Sequence, residues 1–492
     1  MGQNKTFLEI AEALKPVLHE QEAAPVPCSW GGLSRGDTAL FDLGNHHVGY
    51  LTLHLGFSGS HPDAPAWLRV RFAEHLRDLE ERVEDYNGWI SRGWIQEEAI
   101  HVDVLPAVIE LPRRYACRYI QVEVLDVSSK YRLTIPSVSF RSVTSADDNR
   151  LMALNSGDDF LDRLDAVACR TLRGCMHEVF EDGPKRDRRL WLGDLRLQAL
   201  ACYGTYGGQD LVKRCLHLFA GSTLEGGRVG ACLFIQPEVE VDDTVMFDYS
   251  LLFIPTLLDY WKATGDMETL RALWPTALRQ IELSQERFDE TGLVQDSDVL
   301  GWCYTDWNLA LNKQASAQGC YLYCVKAGIE IADALGEQET KMRLSEDYCA
   351  KKAAARQLWS EKQGFFTSGA DKQVSWASQV WMVLGGAAGP EEGAALLERL
   401  ETASHAEKMV TPYMYHNYVD ALLAVDRQEK ALEVLRSYWG GMLEAGADTF
   451  WELYNPENPD ESPYGGTIVN SYCHAWSCAR AYFLRQKSKR PI

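Results

Sequence analysis

A short polar stretch, residues 181–194, carries the densest set of side chains that could do acid–base chemistry. Asp182, Asp187 and Asp194 lie there together with four cationic side chains and a tryptophan. A charged loop is most often solvated, with its last acid capping the next helix. Here an apolar run, residues 190–192, interrupts the charges. This pattern favours a loop folded into a cavity, where carboxylates can transfer protons.

Three further segments place polar groups among aromatic residues. Glu452 lies between Trp and Leu in an aromatic stretch, and Asp306 lies between Trp302 and Trp307. His474 belongs to a third segment near the C-terminus; a lone histidine there is ordinarily structural. Apolar surroundings can raise the pKa of a carboxyl group. Carboxylates beside Trp and Tyr, which can pack on the faces of sugar rings, are typical of a glycosidase site.

The spacing of apolar residues along the chain predicts the strands and helices that must position these segments. Up to about residue 145, short segments alternate with a period of two, as in Leu51, Leu53 and Leu55, and are separated by turn residues. This pattern favours an antiparallel β-sandwich, preceded by a short helix and an Ala- and Pro-rich loop. After residue 148 the period becomes helical. We therefore predict a β-sandwich domain over residues 1–147 and a helical domain over 148–492.

Twelve helices are predicted in the second domain, which makes the protein mainly α. Short and long connections alternate between them, as expected for an (α/α)6 toroid whose long loops meet at one mouth. The predicted ranges are 150–172, 193–206, 209–221, 246–264, 267–288, 316–335, 337–358, 374–388, 391–402, 412–425, 427–445 and 469–486. The long connections include all of the acidic and aromatic segments except the one around His474, which opens the last helix.

Composition excludes several classes of protein. The 492 residues contain 49 Lys plus Arg against 70 Asp plus Glu, a net charge of −21, which argues against nucleic acid and anionic membranes as partners. The apolar segment 373–390 contains polar residues and glycines, so we interpret it as a buried helix. The 13 Cys form no disulfide framework and no secretory signal precedes them, so we expect a soluble cytoplasmic protein with reduced thiols.

Neither a metal nor a cofactor is expected. Cys473 and His474 are adjacent, which is the wrong spacing for two ligands of one tetrahedral ion, and no Cys-x-x-Cys pair accompanies them. No glycine-rich phosphate loop occurs. An exposed face of the β domain could serve a homodimer, and the sequence leaves the oligomeric state open.

The motifs themselves resemble those of one family, the glycoside hydrolase family 78 α-L-rhamnosidases. In that family an Asp-Cys-Pro opening is followed by an acidic residue and then by Trp-x-Gly-Asp. The matching residues here are Asp182-x-Pro184-x-x-Asp187 and Trp191-x-Gly193-Asp194. Residues 450–452, residues 470–477 and two segments of the predicted sandwich, 41–50 and 72–74, also look like this family and come in the same order.

The resemblance implies an inverting hydrolase that removes terminal α-L-rhamnose from small rhamnosides and needs no cofactor. It places Asp187 at the general acid and Glu452 at the general base that activates water. The residues that it implies in sugar binding are Asp182, Asp194, Trp191, Trp451, His474 and, in a looser motif, Trp302, Asp306 and Trp307. Small rhamnosides as substrates and rhamnose as product follow from the same resemblance.

The sequence departs from the family pattern at two positions, and it lacks the family's accessory β domains beyond the one sandwich, so we expect a compact version of that architecture. Gly183 replaces the usual Cys, and the acid position is Asp187 where many relatives have Glu. Arg186, Arg188 and Arg189 surround that acid, and a nearby cation lowers the pKa that a general acid needs raised. Either the arginines point away, for instance to Glu181 or Asp182, or a neighbouring Asp is the acid.

Three other functions are compatible with parts of the pattern. A hydrolase of unsaturated uronic acids on the same toroid would need a basic patch, for which residues 186–189 are the candidate. A sugar epimerase or isomerase would use histidines as acid and base, whereas these loops offer carboxylates. A non-catalytic carbohydrate-binding protein would need aromatics but no opposed acids.

Overall fold

Alternating apolar and polar residues form an antiparallel sheet in the N-terminal part of the chain. The structure, a computed structural model, describes residues 2–23, 25, 29–295 and 302–487. A short strand β1 (Gly2–Gln3) and a helix α1 (Lys5–Ala13) come first. The strands of the sheet follow: β2 (His19–Ala23), β3 (Trp30–Leu33), β4 (Thr38–Gly59), β5 (Ala66–Ala73), β6 (Glu97–Val102), β7 (Ala107–Glu110), β8 (Tyr115–Asp126) and β9 (Tyr131–Thr144).

The long strand β4 organises this sheet. The strand order is β2-β9-β4-β8-β5-β6, with β3 beside β9 and β7 beside β4. Strand β4 pairs with β8 through residues 38–49 and with β9 through residues 49–59, antiparallel in both cases. The apolar positions predicted from the two-residue period are buried in one cluster: Leu51, Leu53, Leu55, Leu68, Val70, Phe72, Ile120, Val122, Val124, Ile135, Val138 and Phe140. The prediction of antiparallel strands is confirmed.

Strand β2 differs from the loop that was expected after the first helix. Its sequence, His-Glu-Gln-Glu-Ala, contains few residues that favour strands, and four of its five side chains are exposed. The strand exists because its backbone pairs with β9, from His19 opposite Thr144 to Ala23 opposite Phe140. A strand held by backbone pairing alone needs no alternation of apolar and polar residues, so the sequence pattern does not reveal it.

Helices follow the sheet, as the change of period predicts. Their bounds are α2 (Asp159–Cys175), α3 (Leu192–Tyr203), α4 (Gln209–Gly221), α5 (Phe247–Thr264), α6 (Met267–Ser284), α7 (Gln314–Leu335), α8 (Gln338–Ala355), α9 (Trp376–Leu384), α10 (Pro390–Leu400), α11 (Pro412–Ala424), α12 (Gln428–Glu444) and α13 (Arg480–Lys487). The short strands β10 (Leu190–Trp191), β11 (Ser222–Thr223), β12 (Cys232–Phe234), β13 (Glu240–Val241), β14 (Trp359–Ser360) and β15 (Phe365–Phe366) lie in connections between them.

The first and last predicted helices differ most from the structure. Helix α2 begins at Asp159, later than predicted, because the Asp158 carboxylate accepts from two backbone N–H groups of its first turn. In the predicted helix 469–486, residue 469 ends a separate 3₁₀ turn, and helix then resumes at residue 475, first as a 3₁₀ turn and then as α13. Residues 470–474 are not helical because their backbone groups bind other segments: the Tyr472 N–H donates to Glu74 and the His474 N–H donates to the carbonyl of Phe450.

The helices contact one another in two sets. Neighbours in sequence pack in pairs, α3 with α4, α5 with α6, α7 with α8, α9 with α10 and α11 with α12. Alternate helices α3, α5, α7, α9 and α11 also contact one another in turn, and the 475–479 turn contacts both α11 and α3. One hydrophobic core joins these helices. Helix α1 packs on α4 and strand β1 pairs with β11, so the first residues of the chain contact the helical part.

Helix α9 lies in the apolar segment 373–390 that was predicted to be a buried helix. All but the first of its residues are buried. In the described part of the chain no helix is long and apolar enough to cross a membrane.

The sheet region holds the 181–194 and 470–477 segments through buried polar contacts. Lys185 Nζ donates to Asp78 Oδ1 at 2.7 Å and to the carbonyl of Asn470 at 2.8 Å. Arg114 Nη2 donates to both carboxylate oxygens of Glu181, at 2.9 and 2.8 Å. Because ions are costly to bury alone, these pairs fix where the two segments meet the sheet region.

Replacing Asp78 should therefore destabilise the protein strongly. The side chains of Lys185 and Asp78 are 2% and 3% exposed, so Asp78→Ala leaves a buried ammonium with the Asn470 carbonyl but without its charged partner. We expect the free energy of unfolding, measured by urea titration with tryptophan fluorescence, to fall by about 3–5 kcal/mol. The surface pair of Lys130 and Asp63 is the matched control, and Asp63→Ala should cause no measurable change. Equal effects of the two substitutions would contradict this interpretation.

Candidate active site

A cavity of about 470 Å³ opens where the acidic and aromatic segments meet. Its walls come from the 181–194 loop, the starts of α3 and α5, the 302–307 segment, residues 452 and 464, the 474–476 segment, and residues 89–94 of the sheet region. Eight of the ten predicted site residues line it: Asp182, Asp187, Trp191, Asp194, Trp302, Trp307, Glu452 and His474. The expectation that separate loops line one mouth is thus met for these residues. Residues 296–301, which belong to the long connection predicted between helices 267–288 and 316–335, lie outside the described residues.

The floor of the cavity consists of Asp182, Asp194 and His474, which are 4%, 2% and 3% exposed. His474 Nδ1 lies 3.5 Å from Asp194 Oδ1, and His474 Nε2 lies 4.0 Å from Asp182 Oδ2. Burial, followed by the charges of neighbouring carboxylates, raises the pKa of Asp182 and of Asp194 well above the usual range. Burial also lowers the pKa of His474. The floor therefore favours neutral side chains that can both donate and accept hydrogen bonds.

Several buried polar atoms of the lining have no hydrogen-bond partner among the described residues. They are Trp191 Nε1, Asp194 Oδ1, Tyr304 Oη, Trp307 Nε1 and His474 Nδ1. Buried polar groups are almost always hydrogen-bonded in folded proteins. Five such atoms around one cavity, interleaved with aromatic rings, suit a ligand that carries several hydroxyl groups on a compact ring.

Glu452 is held in place by two donors. Arg186 Nη2 donates to its Oε2 at 2.5 Å, and the Tyr464 hydroxyl donates to its Oε1. Arg186 is itself fixed, because its Nε donates to the carbonyl of Val469 at 2.7 Å and its guanidinium lies 4.0 Å from the centre of the Tyr464 ring. Trp476 Nε1 donates to the backbone carbonyl of Glu452 at 2.9 Å. The Glu452 carboxylate thus has a single, charge-stabilised orientation.

The three arginines around Asp187 point in different directions. Arg186 binds Glu452, with its Nη1 still 4.0 Å from Asp187 Oδ1. Arg188 donates to the carbonyls of Pro184 and Arg114, away from the cavity. Arg189 lies 3.5 Å from Asp242 Oδ2 and over the ring of Phe234. Burial raises the pKa of Asp187 against the opposing effect of Arg186 and Arg189. Arg188 turns away from Asp187 and the Arg189 side chain reaches Asp242, whereas Arg186 stays beside Asp187 and pairs with Glu452; none of the three side chains pairs with Glu181 or Asp182.

Two glycines in the acidic signature allow close approaches. A Cβ at Gly183 would lie 2.6 Å from the carbonyl oxygen of Arg186 and 2.8 Å from Ser471 Oγ, so the Cys found in the family pattern has no room here. A Cβ at Gly193 would lie 2.4 Å from the ring of Tyr249, which forms part of the cavity wall. The departure at residue 183 follows from the tight turn of this loop.

Asp306 and Trp451, predicted to bind the sugar, lie behind the lining rather than in it. The Asp306 carboxylate accepts from the Val410 N–H at 2.9 Å and from the Thr411 hydroxyl at 2.6 Å, so it anchors the start of α11. The Trp451 ring is buried against His75 and Tyr472. Both residues face inward because each has a structural partner that the sequence pattern does not reveal.

Other lining residues were not predicted. They include Tyr249, Tyr304, Tyr464, Trp476, Arg186, Arg189 and, from the sheet region, Trp89, Ile90, Ser91 and Trp94. Tyr304 and Trp476 stand inside motifs already singled out, next to polar residues, and that position was a usable signal. The four lining residues from the sheet region could not be predicted from the sequence, because they reach the cavity only through the packing of the sheet against the helices.

A buried group behind the cavity contains potential metal ligands. Ligand atoms of His46, Glu74 and Cys473 lie within 4.8 Å of one another. His46 Nε2 is 3.0 Å from Glu74 Oε1, a hydrogen-bond distance, and Glu74 also accepts from the Tyr472 N–H. Burial opposes the charge of His46, but Cys473 and Glu74 raise its pKa to about 10. These contacts link the sheet to the 470–477 segment. The expected absence of a metal stays a prediction.

Two family models match nearly the whole chain. The glycosyl hydrolase family 78 α-rhamnosidase N-terminal domain matches residues 18–142, and the bacterial α-L-rhamnosidase six-hairpin glycosidase domain matches residues 149–487. The chain belongs to the family 78 α-L-rhamnosidases. It is a glycosidase that releases α-L-rhamnose, and the resemblance found in its motifs is confirmed.

Solved structures of α-L-rhamnosidases share this architecture. A rhamnosidase from Klebsiella oxytoca, solved with rhamnose bound, is 45% identical with a TM-score of 0.95, and the match covers 99% of both chains. The family 78 rhamnosidase of Bacillus sp. GL1 is 23% identical with a TM-score of 0.76 over 91% of this chain and 46% of that one. The Streptomyces avermitilis enzyme, complexed with L-rhamnose, is 15% identical with a TM-score of 0.66 over 96% of this chain and 44% of that one. The latter two show the fold alone, and this chain spans less than half of their length. No curated protein matches the sequence.

Proposed function

We propose that this α-L-rhamnosidase works with inversion, Asp187 protonating the leaving oxygen while Glu452 activates the attacking water. The observation that carries the proposal is the Arg186 guanidinium, which lies between the two carboxyl groups. Its Nη2 is 2.5 Å from Glu452 Oε2 and its Nη1 is 4.0 Å from Asp187 Oδ1. Because one guanidinium contacts both groups, the facing oxygens of the two carboxyl groups are no farther apart than the upper limit for inverting glycosidases, whose carboxyl groups are separated by roughly 6.5–9.5 Å.

Asp187 has the environment of a general acid. Its side chain is 24% exposed, so it can reach a substrate in the cavity. Burial raises its pKa, which keeps a proton on the carboxyl group at higher pH than in water. Asp182 and Asp194 also have raised pKa values, but they lie deeper, beside His474, and suit sugar binding. Asp187 is therefore the preferred acid.

Glu452 has the environment of a general base. The Arg186 guanidinium and the Tyr464 hydroxyl both donate to its carboxylate oxygens and hold its orientation. A base must be ionised before reaction, whereas the acid must be protonated. Two hydrogen-bond donors fix the Glu452 carboxylate, whereas burial raises the pKa of Asp187, and these different surroundings support different roles.

Rhamnose binding is assigned to the floor and to the unpartnered donors of the wall. Asp182, Asp194 and His474 would hold hydroxyl groups, and Trp191 and Trp307 would each contribute an indole N–H. Trp302 lines the same wall. Asp306 and Trp451 would position these groups from behind without touching the sugar.

The predicted architecture and location belong to the same proposal. The cycle of contacts through α3, α5, α7, α9, α11 and the 475–479 turn supports a closed (α/α)6 toroid over residues 148–492, with the strands of residues 1–147 packed as a β-sandwich. Twelve described cysteines are all free thiols, and eleven of them are buried. Free thiols support a cytoplasmic location. That location in turn favours small rhamnosides as substrates, since a polymer would not enter the cell.

The alternative chemistries fit the cavity less well. Arg186 and Arg189, which would bind a uronate carboxylate, already lie beside Glu452 and Asp242. An epimerase would need a pair of histidines, and among the described residues that line the cavity His474 is the single histidine. Carboxyl groups in different surroundings favour hydrolysis.

Neutralising either carboxyl group tests the assigned roles. Asp187→Asn removes the transferable proton and Glu452→Gln removes the base, so each should reduce kcat for an aryl α-L-rhamnoside by at least about a hundredfold. The exposed acids Asp243 and Glu457 allow matched controls, Asp243→Asn and Glu457→Gln, which should keep wild-type rates. Near-full activity of the Asp187 or the Glu452 variant would remove that residue from its role.

The pH dependence tests which acid donates the proton. The alkaline limb of kcat/KM reports ionisation of the acid in the free enzyme. Arg189 lowers the pKa of Asp187, so Arg189→Gln should raise that pKa and move the alkaline limb to higher pH. Arg228→Gln, which removes an arginine paired with Glu286 at the surface, should leave the limb in place. A limb that stays fixed in Arg189→Gln, or moves to lower pH, would exclude Asp187 as the titrating acid.

A further inference from the structure

The sheet region contributes a loop to the mouth of the cavity that the catalytic assignment does not use. This tryptophan loop, residues 86–95, connects β5 with β6 and places Trp89, Ile90, Ser91 and Trp94 in the lining. Trp89 is 68% exposed, whereas the floor residues are at most 4% exposed. The loop therefore stands at the open end of the cavity, opposite the carboxyl groups of the floor.

The loop is firmly held, so its exposed indole is presented in a defined position. Trp89 Nε1 donates to the carbonyl of Pro463 at 2.8 Å, and the Tyr86 hydroxyl donates to the carbonyl of Tyr464 at 2.9 Å. A Cβ at Gly88 would lie 1.9 Å from that same carbonyl oxygen, which shows how closely the loop packs on residue 464. Tyr86 and Ile95 are buried in a cluster with Tyr464, Ile468 and Val469.

Contacts link the loop to the catalytic groups. The Trp89 and Tyr464 ring centres are 5.5 Å apart, and the Tyr464 and Trp307 ring centres are 5.7 Å apart. Tyr464 also binds Glu452 through its hydroxyl. An aromatic wall thus extends from Glu452 to the rim, and contiguous apolar surface of this kind beside a cavity is typical of a ligand-binding groove.

Because this aromatic wall lies at the mouth of the cavity, it would contact the group that is attached to rhamnose rather than rhamnose itself. Terminal rhamnose fills the closed end of the cavity, so the group attached to it must extend through the mouth. There the loop offers two indoles and an aliphatic side chain but one hydroxyl, that of Ser91. Arg92 Nε is directed to the carbonyl of Tyr86. A sugar would need several polar partners here, whereas a flat aromatic ring needs stacking surface.

We propose that the tryptophan loop is the leaving-group subsite and that Trp89 and Trp94 select rhamnosides of flat aromatic alcohols. The proposal rests on the proposed function and extends it to the specificity of the same site. It also gives the N-terminal region a direct role in recognition, in addition to holding the catalytic loops.

The test compares each variant with the wild type on three substrates, an aryl α-L-rhamnoside, methyl α-L-rhamnoside and a rhamnosyl-glucose disaccharide. Trp89→Ala should lower kcat/KM for the aryl substrate by roughly three- to tenfold, mainly through KM, because an aromatic contact is lost. Its kcat/KM for the methyl substrate and its inhibition by free rhamnose should stay at wild-type values. Trp94→Ala should behave alike, and Trp89→Phe should recover most of the aryl activity.

Trp67→Ala is the matched control, because Trp67 is an exposed tryptophan of the same sheet that stacks on His101 and is not among the lining residues. It should change none of the three substrates. An equal loss on aryl and methyl substrates, or a loss confined to the disaccharide, would overturn the proposal while leaving rhamnosidase activity established. A wild-type enzyme inactive on every α-L-rhamnoside would instead overturn the proposed function, and this inference with it.

Discussion

Burial of several carboxyl groups in one cavity is the constraint on which the rest of the structure depends. An ionised carboxylate away from water must be paired or hydrogen-bonded, or else must take up a proton. Each of these solutions occurs here. Glu452 is paired with Arg186, Asp182 accepts from two backbone N–H groups although burial still raises its pKa, and Asp194 has a raised pKa as well. The different solutions give the acids different properties within one cavity.

The N-terminal sheet region supplies much of the support for this arrangement. Asp78 binds Lys185 of the acidic loop, and Glu74 binds the backbone of Tyr472. Glu81 accepts from the N–H and the hydroxyl of Thr467, both at 2.9 Å. These contacts hold non-helical segments whose backbone groups have no regular partners of their own. The two regions therefore form a single catalytic unit, although most of the chemistry lies on the helical part.

The sequence was most informative where side-chain chemistry determines the structure. The alternation of Leu51, Leu53 and Leu55 identified buried strands, and the helical period located most helices within a few residues. Asp182, Asp187, Asp194 and Glu452 were recognisable because polar groups beside aromatic residues are unusual. Most of these features are local, and local patterns can be read from one sequence.

Features that depend on packing between distant segments could not be read in the same way. Strand β2 exists through backbone pairing with β9, and residues 470–474 are non-helical because they bind Glu74 and Phe450. Asp306 and Trp451 matched the expected chemistry, but their partners at residues 410–411 and 472 turn them away from the cavity. Arg186 lowers the pKa of Asp187, as its place in the sequence indicates, but its hydrogen bonds to Glu452 and to the carbonyl of Val469 join segments far apart in the chain.

The roles proposed for Asp187 and Glu452 have a direct stereochemical consequence. A water activated by Glu452 attacks the anomeric carbon from the face opposite the leaving group, so the product of an α-L-rhamnoside must first appear as the β-anomer. Proton NMR of the reaction during its first turnovers, before mutarotation equilibrates the anomers, measures this directly. The account predicts an early signal of β-L-rhamnose that later declines towards equilibrium. An early signal of α-L-rhamnose would contradict it.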